Sequence, residues 1–192
     1  MNNREKAEIS AFLNGLPVAV IAGDVAPIGD GFAAVRRWAT AIFEAQGGRA
    51  INPEVGEVIL NEKSVRNSQA HYRRMPPAVA NVFAAVKDVI EKGRIVLVEP
   101  THNRQQTRSI YISAPVRIGD ADDIVTVLVH QNPNTQRMYL HSAWTRESLL
   151  NVGLDKSTAG AERLVLSRPG DTGGIPSVFR DLVNFKKGGR HR

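Results

Sequence analysis

Cysteine is absent from the 192 residues. That excludes a disulfide scaffold, a thiol nucleophile and any cysteine-ligated zinc or iron–sulfur centre. No apolar run approaches the ~20 residues needed to cross a bilayer, and the opening MNNREKAEIS is too polar for a signal peptide. No membrane partner is therefore expected. The sequence has no G-x-x-x-x-G-K-[ST] and no G-x-G-x-x-G after a strand, so P-loop and dinucleotide readings fall. The five histidines (His71, His102, His130, His141 and His191) include no pair at the i, i+4 spacing of a helical metal site. Neither a metal nor a cofactor is expected. Acidic residues are in deficit: 19 Asp+Glu face 25 Lys+Arg, a net charge of +6 and a sequence pI near 10.0. Such a balance favours a polyanionic partner such as RNA, DNA or anionic lipid. With 42% hydrophobic and 23% charged residues, the chain can form a packed core of ordinary domain size.

The order of patterns reads as α+β: N-terminal helices, then a four-stranded antiparallel β-meander, then a loosely structured basic C-terminal arm. Three parts follow: an N-terminal helix and strand over 1–29, an α+β domain over 30–152, and the arm over 153–192. Glu5–Gly15 has helical apolar spacing, and Pro17–Ala22 reads as a buried strand. Asp30 is placed to cap a helix through Ala33–Ala45, which Gly47–Gly48 ends in the left-handed region. Val55–Leu60 alternates as a short strand. Asn61 caps a segment reaching about Tyr72, and Pro76–Pro77 opens a helix over Ala78–Lys92 that Gly93 ends. The stripe Val82–Phe83–Val86–Ile90 should pack on the sheet. From Gly93 the period becomes two, with strands at Ile95–Glu99, Ile110–Ile118, Ile124–His130 and Gln136–Trp144. A short helix over Thr145–Asn151 follows. Beyond Gly153 apolar periodicity fades, so few core contacts are expected there.

Two segments could carry chemistry. Lys63–Arg74 (KSVRNSQAHYRR) gathers Lys63, Arg66, His71, Arg73 and Arg74, with Ser64 and Ser68 between them. On a helix Lys63 and Arg66 share a face, which could hold a phosphate against one imidazole; a plain solvated basic face is the competing reading. In Arg137–Trp144 (RMYLHSAW), strict alternation puts Tyr139, His141 and Ala143 on one face and Met138, Leu140, Ser142 and Trp144 on the other. Ser142 beside Trp144 is then a hydroxyl next to an aromatic plate on which a base can stack. The competing reading makes Trp144 core. Asp120, Asp122 and Asp123 lie in a hairpin turn, where aspartate is common.

The stretch from Asp30 to Leu150 resembles a known family. It carries NPEVGEVILNEKSVRNSQAHY, a helix ending EKG, then IYISAPVRIG, IVTVLVHQ and MYLHSAW. It is similar to the phage-associated branch of the metal-independent ribonucleases, the barnase–EndoU–colicin–RelE-like superfamily, found fused to Mu-type phage head proteins and large phage polyproteins. The resemblance implies helices on an antiparallel sheet and a toxin-like endoribonuclease. Such an enzyme cleaves RNA (a transfer RNA among the candidates) by 2′-OH transesterification to a 2′,3′-cyclic phosphate. By position it makes His71, Lys63 and Ser142 catalytic, with Arg66, Arg73, Arg74, Trp144 and Tyr139 binding substrate. Ser142-x-Trp144 is also similar to the colicin D type of transfer-RNA nuclease. The chain departs from the family in a longer Lys63–His71 separation and in having no carboxylate at a base position as in barnase. The implied partners are RNA with an immunity protein, or phage head and capsid proteins, in the bacterial cytoplasm or in the virion. Should His71 prove dispensable, His141 and His130 are the next candidates. The alternative is a non-enzymatic phage structural or head-associated protein of the same fold. A small ADP-ribosyl transferase fits less well, for want of a Glu-x-Glu pair.

Overall fold

The structure is a computed structural model, which describes residues 3–23, 25–70, 76–102, 107–146 and 148. The Thr145–Asn151 helix, for the most part, and the whole arm beyond Gly153 lie outside the described residues.

Among the described residues five helices and seven strands follow one another: α1 (Asn3–Leu13), β1 (Ala19–Ile21), α2 (Gly31–Ala45), β2 (Arg49–Asn52), β3 (Gly56–Ile59), α3 (Glu62–Gln69), α4 (Pro77–Asn81), α5 (Val86–Lys92), β4 (Arg94–His102), β5 (Thr107–Ile118), β6 (Ala121–Gln131) and β7 (Met138–Thr145). Local chemistry accounts for several boundaries. Asn61 caps α3, its Oδ1 accepting the Ser64 N–H at 3.1 Å. Asp30 makes no side-chain cap on α2. That helix instead ends as expected, with Gly47 and Gly48 at φ +86° and +67° and the Gly48 N–H reaching back to the Phe43 carbonyl at 2.7 Å.

The sheet corrects the expectation of a four-stranded antiparallel meander. Its order is β1-β5-β6-β7-β3-β2, with β4 also paired to β5. The ladder β4–β5–β6–β7 is antiparallel. The N-terminal half then adds β1 parallel to β5, and β3 parallel to β7 with β2 antiparallel beside it. The result is a mixed sheet. Strands as short as Ala19–Ile21 show almost no periodicity of their own, so a pairing partner far along the chain is invisible to local pattern.

The single helix expected over Ala78–Lys92 is also corrected. It is α4, a 3-10 turn at Val82–Ala84, and α5. Its segment is rich in β-branched valines (79, 82, 86 and 89), which lose χ1 freedom in a helix and hold it weakly. Burial is kept all the same. Val82, Phe83, Val86 and Ile90 join Val35, Ala39 and Phe43 of α2 and Ile110, Ile112, Val127, Val129 and Leu140 of the sheet in one core. Phe43 and Phe83 meet edge to face, centroids 6.3 Å apart. A smaller cluster on the other sheet face joins Leu13 of α1 to Val96, Ile124, Leu128 and Trp144.

Candidate functional site

The second face of the sheet is not uniformly apolar. Residues directly opposite one another on neighbouring strands share a face, and the register puts Glu99 opposite Ser109, Ser109 opposite His130, and His130 opposite Tyr139. One row of polar side chains thus crosses β4, β5, β6 and β7. The adjoining row is Leu97, Tyr111, Leu128 and Ser142. Beyond it Ser113 and Thr126 share a hydrogen bond at 2.8 Å.

A bulge completes the arrangement. Leu128 faces Ser142 while Val129 faces Leu140, so His141 is the extra residue on β7 with nothing opposite it. A bulge reverses the phase of the side chains that follow. Leu140 and Ala143 therefore both enter the main core, whereas strict alternation puts them on opposite faces. Tyr139 and Ser142, expected on opposite faces, come to share the second one. His141, the bulged residue, lies over its neighbours. Its ring centroid is 4.1 Å from that of His130, with the planes tilted 40°, and its Nδ1 lies 2.8 Å from Ser142 Oγ. Tyr139 meets His130 edge-on, centroids 5.9 Å apart. Lys63, at the start of α3, holds its ammonium 5.9 Å from the Tyr139 ring centroid, a cation–π distance. A continuous path of contacts thus runs from Lys63 through Tyr139, His130 and His141 to Ser142.

The phenols in this face keep their protons at neutral pH. Burial pushes Tyr111 up, helped by the Glu99 carboxylate that accepts its hydroxyl at 3.3 Å. Burial alone raises Tyr139. Both are therefore hydrogen-bond donors rather than bases.

Of the residues expected from sequence, Lys63, Tyr139 and Ser142 come together here. Ser142 is 0% exposed and Trp144 is 5% exposed. The indole packs against Leu13, Val96, Ile124 and Leu128, which leaves little of its ring surface open. Arg66 stands exposed one turn beyond Lys63. His71, Arg73 and Arg74 lie outside the described residues. What the sequence missed is the close approach of the His130 and His141 rings and the presence of Glu99, Ser109 and Tyr111 on the same face. A signal existed: the polar residues of β5 and β6 on this face, Ser109, Tyr111, Ser113, Thr126 and His130, fall at alternate positions of otherwise apolar strands. An open cleft of about 510 Å³ is lined by Glu57, Ile59, Thr135, Gln136, Arg137 and Met138. Neither histidine lines it. Among the described residues, no three His, Asp or Glu side chains gather as metal ligands.

The family model of the large polyvalent protein-associated domain 3 matches residues 30–139, more than half of the chain. The chain belongs to that family. No curated protein and no solved structure matches it. As a polyvalent-protein-associated domain of phage type, it carries the paired histidines on β6 and β7, with His130 and Tyr139 inside the matched span and His141 and Ser142 just past its end. No described helix of this domain is long and apolar enough to cross a membrane.

Proposed function

We propose that this domain is a metal-independent endoribonuclease of the toxin kind, with its chemistry centred on His130 and His141. The observation that carries the reading is the pair of imidazoles 4.1 Å apart, one of them held by a serine hydroxyl, beside a tyrosine and a lysine. Cleavage of a phosphodiester by the neighbouring 2′-OH needs a base to take the hydroxyl proton and an acid to protonate the departing 5′-oxygen. Two histidines divide those roles. Lys63 supplies positive charge for the phosphorane oxygens, and Arg66 adds to it one turn away. Ser142 acts through His141 as a positioning residue. Tyr139 donates to substrate from the rim. His71, Arg73 and Arg74 remain proposed contributors from the segment after α3. The products are a 2′,3′-cyclic phosphate and a 5′-hydroxyl, and RNA is the proposed partner.

Burial favours a second reading. His130 is 7% and Ser142 0% exposed, as expected where polar side chains merely fill a covered face. On that reading the domain is a non-enzymatic phage structural or head-associated protein. Incubating the purified protein with mixed RNA in EDTA decides between them. Fragments ending in cyclic phosphate support the nuclease, and intact RNA at high protein concentration supports the structural protein.

A further inference from the structure

Ser109 is 0% exposed, and among the described residues its Oγ has no hydrogen-bond partner. Leaving a buried hydroxyl in that state costs stability, so its place in the row calls for an explanation. Its neighbours are specific. Glu99 lies directly opposite on β4 and His130 directly opposite on β6, each with Cβ within about 4.5–5.5 Å by the geometry of strand pairs. A hydroxyl flanked by a carboxylate and an imidazole suits a neutral ligand group that both donates and accepts. An anionic phosphoryl oxygen would meet repulsion from Glu99. A sugar hydroxyl meets all three requirements. Around this floor, Glu99, Tyr111, Tyr139 and His141 are only half-buried. A ligand reaches Ser109 only when these rim side chains turn aside.

We propose that Ser109 reads the ribose 2′-hydroxyl: its Oγ hydrogen-bonds the 2′-oxygen of the nucleotide held against His130, which sets ribose apart from deoxyribose. The proposal rests on the ribonuclease reading for its substrate class, since the 2′-OH is the group by which a protein tells RNA from DNA. It adds a residue that reading does not use.

The test is calorimetric titration of the full chain with the four ribonucleoside 3′-monophosphates and their 2′-deoxy counterparts, for wild type, Ser109→Ala and Ser109→Cys. Wild type should bind at least one ribonucleotide about 5–10-fold more tightly than its deoxy form, the span of one neutral hydrogen bond. Ser109→Ala should bring that ratio close to one, with a melting temperature equal to or above that of wild type, because the removed hydroxyl had no partner. Ser109→Cys keeps the volume while weakening the donor, and should lower the ratio too. An unchanged ribose preference in both variants overturns the proposal. So does a loss of many degrees in Ser109→Ala, which would give the hydroxyl a structural role, and so does failure of wild type to bind any of the eight nucleotides. RNA cleavage is scored separately. Cutting with a Ser109-independent preference leaves the nuclease standing without this inference, and a Ser109-dependent preference without cutting leaves a ribonucleotide-binding domain.

Discussion

Alanine in place of either His130 or His141, whose rings lie 4.1 Å apart, removes one proton-transfer group and leaves the main core intact. His130→Ala and His141→Ala should each slow RNA cleavage about 10²–10⁴-fold, measured as initial rates on a labelled RNA in EDTA, with far-UV circular dichroism unchanged. Undiminished rates in both would return the assignment to His71. Ser142→Ala removes the 2.8 Å contact to His141 Nδ1. Its cost should be nearer tenfold, the value of one neutral hydrogen bond, and it should shift the pH–rate profile as well as lower it. Tyr111 supplies a stability test. Its folded state holds the proton more tightly than the unfolded value of 10.0, first through burial and then through Glu99. That stabilisation is complete below pH 10 and drains away as pH rises above it, at up to about 1.4 kcal/mol per pH unit. Urea unfolding at pH 9 and pH 11 should therefore show a smaller difference for Tyr111→Phe than for wild type. Equal differences would mean that the phenol does not carry the linkage.

At the scale of single elements, Gly93 joins α5 to β4 with φ −74°, an angle open to any residue, so glycine is needed for space alone. A Cβ there would collide with the Val89 carbonyl oxygen and sit 2.8 Å from Ile112 Cγ2. Gly93→Ala should destabilise by about 1–3 kcal/mol or more, read from denaturant midpoints at constant m. β2 is an edge strand, and its outward backbone groups are covered by side chains of α5. Glu91 accepts the Ile51 N–H at 3.4 Å, and Lys87 donates to the Gln46 and Arg49 carbonyls at 3.1 and 3.5 Å. Removing both with Lys87→Ala and Glu91→Ala opens an edge that carries the exposed Ile51. Sedimentation should then show concentration-dependent self-association absent from wild type.

These elements also mark where sequence reasoning reaches its limit. The Asn61 cap, the Gly47–Gly48 stop and the period-two strands after Gly93 were legible because each rests on residues within a few positions of one another. β2 was missed because four residues, Arg49–Asn52, are too few to show a period, and β1 and β3 were read without their pairings because their parallel partners lie in the other half of the chain. The candidate site was half legible. Lys63, Tyr139 and Ser142 were found by residue type. The His130–His141 pair was not, because it depends on a bulge: one unpaired residue in β7 changes which side chains share a face, and neither glycine nor proline in Met138–Thr145 marks it.

Over the whole molecule, stability rests on the core between the helices and one face of the sheet. Phe83, fully covered and in edge-to-face contact with Phe43, is a direct probe of it. Phe83→Ala should cost about 3–5 kcal/mol, a large part of the ~5–15 kcal/mol that holds a domain folded. The parallel pairings have a further consequence, which concerns time. Ala19 pairs with Val116, and Val58 pairs with Met138. A ribosome adding about 5–20 residues per second delivers β1 on the order of five to twenty seconds before the stretch of β5 that will hold it. Through that interval Leu16 and Val20, still exposed in the finished fold, stand beside an unpaired strand. The nascent N-terminal half is thus the period of greatest exposure to misassembly, and the sheet closes only once its last strand has emerged.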